Sequence, residues 1–154
     1  ATNIPRRYAS IVASGGFEIL DSLTPNGKEY IAPLPVDYNP ELPGYKSMLS
    51  MMGMPGKMGA KNENFPKAQA IKDATMAWNI AKKLEKGKLF IHFHGTYHSN
   101  NFEGMVWYLN RYKPKATKKT IATVLQTDAN ELSDENKDLA DFIIVVPERM
   151  TRTH

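Results

Sequence analysis

Three of the chain's four histidines fall within IHFHGTYH, residues 91–98. Imidazole is the one side chain whose ordinary pKa, about 6.5, suits both acid–base work and metal ligation near neutrality. The spacing divides the three. Residues 89–94 read as a β-strand, where alternate side chains share a face, so His92 and His94 point together with Phe90. His92, mid-strand, reads as a hydrogen-bonded residue of the sheet interior. His94 lies nearer the strand's carboxyl end, and packing and ligand roles both stay open for it. His98 follows Gly95-Thr96-Tyr97, past the strand end and just before a helix. Ligands in open α/β sheets collect outside the carboxyl ends of strands, which makes His98 the principal functional candidate. Tyr97 beside it suits iron ligation as a phenolate, stacking on a flat ligand, or packing under the loop.

Two further patterns carry chemical side chains. A helix read over residues 66–85 has Ile71, Ala74, Trp78, Ala81 and Leu84 at core spacing. Gln69, Asp73 and Met76 form a second line on it, an amide, a carboxylate and a thioether in a row. The run MLSMMGMPGKM, residues 48–58, holds five methionines. It reads as an adaptable apolar lid or contact surface, with a soft-metal site as the lesser reading because no cysteine or histidine is near.

Composition removes several classes. There is no cysteine, so disulfides and thiolate metal sites are excluded. The net charge is +4, yet the basic residues are scattered apart from Lys113, Lys115, Lys118 and Lys119, without interleaved aromatics. Nucleic acid is therefore not an expected partner, and that cluster reads as a solvated helix-to-strand turn. Asp128, Glu131, Asp134 and Glu135 read as solvated caps. No nucleophile elbow, P-loop, HExxH or GxGxxG pattern occurs. No apolar run approaches the roughly 20 residues of a membrane span.

These residues must be positioned by elements that a 154-residue chain can supply in one domain. Pro5 opens a helix that Gly15-Gly16 closes, and a short helix follows over residues 17–23. Four prolines within residues 32–44 mark a connector. Phe102, Met105, Val106 and Leu109 stripe a helix that Asn100 and Glu103 cap. Residues 120–126 and 141–146 read as strands, the second apolar throughout as for a parallel strand buried on both faces, with a short helix at 134–139 between them. The expectation is an α/β fold, a parallel sheet flanked by helices with a small helical subdomain. Residues 1–23 contribute helices to the core, residues 24–65 form a helical or irregular cap with the Met-rich loop, and residues 66–154 complete the core. The chain opens on Ala-Thr-Asn-Ile-Pro, with no initiator methionine or signal peptide, and its sheet is thin. Both features lead us to expect a truncated domain with its N-terminal half missing.

Three segments carry a resemblance. ATNIPRRYASIVASGG, KAQAIKDATMAWNIAKKL and FHGTYHSNNFEGMVWYL, in that order, resemble the C-terminal portion of the ChaN-like haem-binding lipoprotein family. The resemblance implies haem or iron uptake in the bacterial cell envelope, with a membrane-anchored lipoprotein in the full-length form. Its motif residues would be Asn3, Arg6 and Arg7, then Gln69, Asp73 and Met76, then Gly95 and His98. His98 or Tyr97 would approach the iron, and Arg6 and Arg7 would pair with haem propionates, or one of them would fix Asp73. Haem bound between paired subunits would imply a homodimer, and the Met-rich run would suit an outer-membrane receptor. The GxxH pattern also resembles a wider superfamily of Tiki/TraB-like and erythromycin-esterase-like proteins. That leaves a metal-dependent or His/Asp hydrolase using His98 and Asp73 as the alternative.

Overall fold

The computed structural model describes residues 2–52 and 63–151. Helix α1 (Arg6–Gly15) follows Pro5 and buries Tyr8, Ala9 and Val12. It stops at Gly16, whose φ of +73° suits glycine and whose N–H returns to the Val12 carbonyl. A 3-10 turn (Phe17–Ser22) comes next, then α2 (Pro25–Lys28), capped by the Thr24 hydroxyl accepting from Gly27 N–H. Helix α3 (Pro43–Met52) precedes the long central helix α4 (Asn64–Lys83), and α5 (Met105–Tyr112) completes the helical body.

Helix α4 is the axis. It touches α1, α3 and α5, and its buried surface is built from small residues, Ala68, Ala70, Ala74, Ala77 and Ala81. Short side chains let helices approach closely, so three neighbours pack on one element. One apolar cluster joins α1 to the first half of α4 through Tyr8, Val12, Leu20 and Ile71. The other joins α3 and α5 to its second half through Tyr45, Met76, Ile80, Met105 and Tyr108. Two polar links fix the intervening loop. Ala32 N–H donates to the Thr75 hydroxyl on α4 at 3.1 Å, and the Tyr108 hydroxyl donates to the Asp37 carbonyl at 2.6 Å.

The strands β1 (Ile121–Gln126) and β2 (Phe142–Pro147) form a two-stranded parallel sheet, with Ile121 opposite Phe142 and Gln126 opposite Pro147. Helices with a small parallel sheet make the fold α/β, as the strand and helix periods imply. The buried Gln126 amide organises the loop after β1, donating to the Asp128 and Glu131 carbonyls and accepting from Ser133 and Asn136. The acidic run is thus folded around a single glutamine.

Four local expectations change. Residues 89–94 adopt no regular structure and pair with no strand among the described residues, so they form no part of a sheet. Strand β2 is exposed on one face at Phe142 and Ile144 rather than buried on both. The expected helices at 17–23 and 134–139 are 3-10 turns, Phe17–Ser22 and Asp134–Asn136. Finally, α5 starts at Met105, because Asn101 and Phe102 adopt positive φ and break the helix that capping at Asn100 would begin. Of the Met-rich run, residues 53–58 lie outside the described residues; Met48 is buried in the core.

Replacing Thr75 by valine keeps its shape but orphans the Ala32 N–H in the core. It should cost about 1–3 kcal/mol of unfolding free energy by urea titration. An unchanged midpoint would mean that the link contributes nothing.

Candidate functional site

A carboxylate sits fully buried midway along α4, at Asp73. Burying a charge is costly unless donors surround it, and two elements supply them. The Tyr45 hydroxyl, on α3, donates to Asp73 Oδ2 at 2.8 Å. His98 Nδ1 meets Asp73 Oδ1 at 2.5 Å from the loop before α5. The loop holds its shape through a 3-10 turn (Thr96–His98), with His98 N–H donating to the Gly95 carbonyl.

Space for this arrangement comes from Gly104. Its φ is +52°, and a Cβ there would lie 2.8 Å from the His98 carbonyl oxygen and 3.2 Å from Asp73 Oδ2. Only glycine suits that backbone and that gap. Next to it, the Glu103 carboxylate accepts from Gly44 N–H at 2.7 Å, which ties the start of α3 to the start of α5.

The Gln69 amide, one turn before Asp73 on α4, lies 2.9 Å from the same His98 Nδ1. The atom facing Nδ1 is Gln69 Nε2, and the Gln69 Oε1 accepts from Lys72 Nζ at 3.5 Å. The imidazole is therefore gripped on its Nδ1 side, and its side chain is 17% exposed. Among the described residues Nε2 makes no hydrogen bond.

His94 and His92 continue outward from His98. The His94 and His98 rings meet edge to face at 6.4 Å, and His92 stacks on His94 at 5.1 Å with their Nδ1 atoms 3.1 Å apart. His92 Nε2 bonds the Thr2 hydroxyl at 2.5 Å, and Asn79 on α4 donates to the Thr2 carbonyl. Burial, then the charge of neighbouring imidazoles, lowers the pKa of both His92 and His94. His92 is therefore hydrogen-bonded as its position suggests, but to the N-terminal segment and outside any sheet. Among the described residues no group of three or more His, Asp or Glu is arranged to hold a metal ion.

The other sequence candidates separate. Tyr97 is exposed and lines a cleft of about 410 Å³ with Tyr45, Met48, Asn100, Glu103 and Gly104. Asn100 Oδ1, also in that lining, is buried without a hydrogen-bond partner. Met76 packs in the core beneath the polar line. Asn3 is exposed and its side chain accepts from Ile4 N–H. Arg7 lies over the Tyr8 ring and donates to its hydroxyl, while Arg6 is exposed with no ion pair among the described residues. Neither arginine bonds Asp73; Tyr45 and His98 take that place. Tyr45, Gly104 and Thr2 also belong to this arrangement, and the sequence does not single them out. Pro43 announces a helix start at α3, but no local signal selects Tyr45.

An α/β chain in which a buried aspartate holds a loop histidine presents a candidate site centred on that histidine. Residues 1–109 match the family described as haem-binding uptake, Tiki superfamily, ChaN, and the chain belongs to that family. No curated protein and no solved structure matches it.

Burial, the largest influence, pushes the Asp73 carboxyl above the ordinary aspartate range, against the opposing pull of His98, Tyr45 and Lys72. A folded value above the unfolded one gives stability that is complete below the unfolded pKa and lost as pH rises through the folded pKa. Asp73→Asn should therefore gain on wild type in unfolding free energy as pH rises above the ordinary carboxylate range. A difference that stays flat with pH would mean that the carboxylate is not desolvated in the fold.

Proposed function

We propose that this chain binds haem at the surface where His98 and Tyr97 meet, and serves haem or iron uptake in the bacterial cell envelope. The observation that carries the reading is the Asp73–His98 pair. A carboxylate that accepts Nδ1–H fixes the tautomer and leaves the Nε2 lone pair for a metal, as outer partners of metal-bound histidines do. Bound haem would supply an iron centre for axial ligation by nitrogen or phenolate oxygen.

The residues suit such a group in three ways. His98 offers a held imidazole, and Tyr97 an exposed phenol one residue away. Arg6 offers an exposed guanidinium of the right charge for a propionate, and Arg7 a second one stacked on Tyr8. Gln69 and Asp73 then position His98, and Asn3 shapes the turn before α1. Met76 lies in the core and acts by packing. A full-length, lipid-anchored form, a homodimer sharing haem, and a receptor contact through the Met-rich run belong to the same reading.

The same pair supports one other reading, a hydrolase with His98 as general base oriented by Asp73, with or without a metal. An esterase and peptidase panel distinguishes the two, since turnover lost in His98→Ala would favour hydrolysis.

Adding hemin to the purified chain should give a shifted Soret band. Affinity should fall about 10–100-fold in Asp73→Asn, as for loss of an outer partner, and further in His98→Ala. Tyr97→Phe tests the phenolate. Wild-type binding by both His98→Ala and Tyr97→Phe would overturn the assignment.

A further inference from the structure

The chain doubles back sharply just after His98. It returns so closely that a Cβ on Gly104 would lie 2.8 Å from the His98 carbonyl oxygen. Three of the four residues 101–104 are left-handed, Asn101, Phe102 and Gly104, with φ of +57°, +60° and +52°. Glycine takes that conformation freely and asparagine tolerates it, but a bulky side chain rarely does. Phe102 is 42% exposed, so its ring is not locked in the core. Local bonds close the turn, Phe102 N–H to the Ser99 carbonyl at 3.1 Å and Glu103 N–H to the Asn100 carbonyl at 3.2 Å.

One further bond reaches this turn from far along the chain. Asn101 N–H donates to the Leu139 carbonyl at 2.9 Å. A second unusual residue aims that carbonyl, since Asp138 before it is also left-handed, with φ of +64°. Two residues on, Asp141 is fixed to the start of β1, accepting from Thr120 N–H and from Lys119 Nζ at 2.8 Å each. The acceptor is thus carried by the segment that joins β1 to β2, outside the residues 1–109 that match the family. Backbone held in sparsely populated regions persists only where the surrounding structure over-determines it, and such places cluster at functional sites.

We propose that the Asp138–Leu139 turn is a positioning clamp for His98. Its carbonyl holds Asn101 left-handed, which keeps Phe102 in its costly conformation and Gly104 against the His98 carbonyl. His98 then meets Asp73 with Nδ1 at 2.5 Å. Once released, Asn101 and Phe102 relax to negative φ, the return between residues 98 and 104 opens, and the imidazole loses its fixed approach to the carboxylate. The clamp touches no ligand and acts only through the loop. This inference deepens the reading of His98 as the functional histidine and rests on it, whatever His98 binds.

The test is hydrogen exchange, read by NMR at the Asn101 amide and the His98 Nδ1 proton of the full 154-residue chain without hemin. Both should exchange slowly in wild type. Asp138→Pro forbids the left-handed φ at that residue, while Lys137 already has the extended backbone that a following proline asks for, φ −64° and ψ 147°. Both protons should then exchange about tenfold faster or more, with the helical circular dichroism unchanged. Adding Phe102→Gly to Asp138→Pro should restore most of the His98 protection, because glycine holds the turn without the clamp. Leu139→Ala keeps the carbonyl and should leave both protons as in wild type. Should Asp138→Pro unfold the sheet, Asn101→Val, whose β-branched side chain resists the same φ, should accelerate the His98 proton equally. A wild-type Asn101 amide that exchanges as freely as in an unfolded chain would overturn the proposal. So would a His98 proton that Asp138→Pro leaves slow, a double variant without rescue, or Leu139→Ala reproducing the loss, which would assign it to packing. No hemin enters the measurement, so its failure leaves the haem reading standing, and the converse.

Discussion

A carboxylate with no exposed surface must find its donors inside the protein, and the helical body is arranged around that requirement at Asp73. Desolvating a charge costs several kcal/mol, roughly, before any partner repays it. The repayment comes from three places in the chain. Tyr45 is brought by α3, His98 by the loop before α5, and Gly104 leaves the space in which both meet the carboxylate. The small residues of α4 let these elements close on it, and the Glu103–Gly44 bond joins α3 to α5 beside the pair. Removing any one of these would leave a buried polar group without its partner.

The same constraint gives the site its chemistry. Holding Nδ1 fixes which face of the imidazole looks outward, which a ligand to iron and a general base both need. What favours the haem reading is the company His98 keeps. An exposed tyrosine follows the same turn, and two arginines lie on the opening segment that also carries the family match. His92 and His94 extend the polar line from the site to Thr2, so the N-terminal segment is anchored to the histidine loop rather than to Asp73.

Much of this was legible in the sequence because it depends on local periodicity. The helical repeat placed Gln69 and Asp73 on one line, and the glycine after an extended run placed His98 in a loop. Both strands at 120–126 and 141–146 follow from runs of strand length, the second apolar throughout, and their parallel pairing is observed. What escaped depends on distant contacts. Tyr45 lies 28 residues from the carboxylate it serves, and nothing near it in the chain marks that role. Gly104 is one glycine among ten, distinguished only by what its missing Cβ would strike. Met76 shares the line of Asp73, but α3 and α5 cover it, so it falls in the core. Residues 89–94 have the alternation of a strand; pairing is a property of neighbours, and they have no strand partner among the described residues.

The account rests on where one proton sits between Asp73 and His98. Long-range proton–nitrogen NMR correlation of the imidazole reads it directly in the ligand-free chain at neutral pH. The account predicts that the shared proton sits on Nδ1, with Nε2 showing the shift of an unprotonated nitrogen. An Nε2–H tautomer would place the proton on the carboxyl side of the pair and leave no lone pair facing outward, contradicting the account.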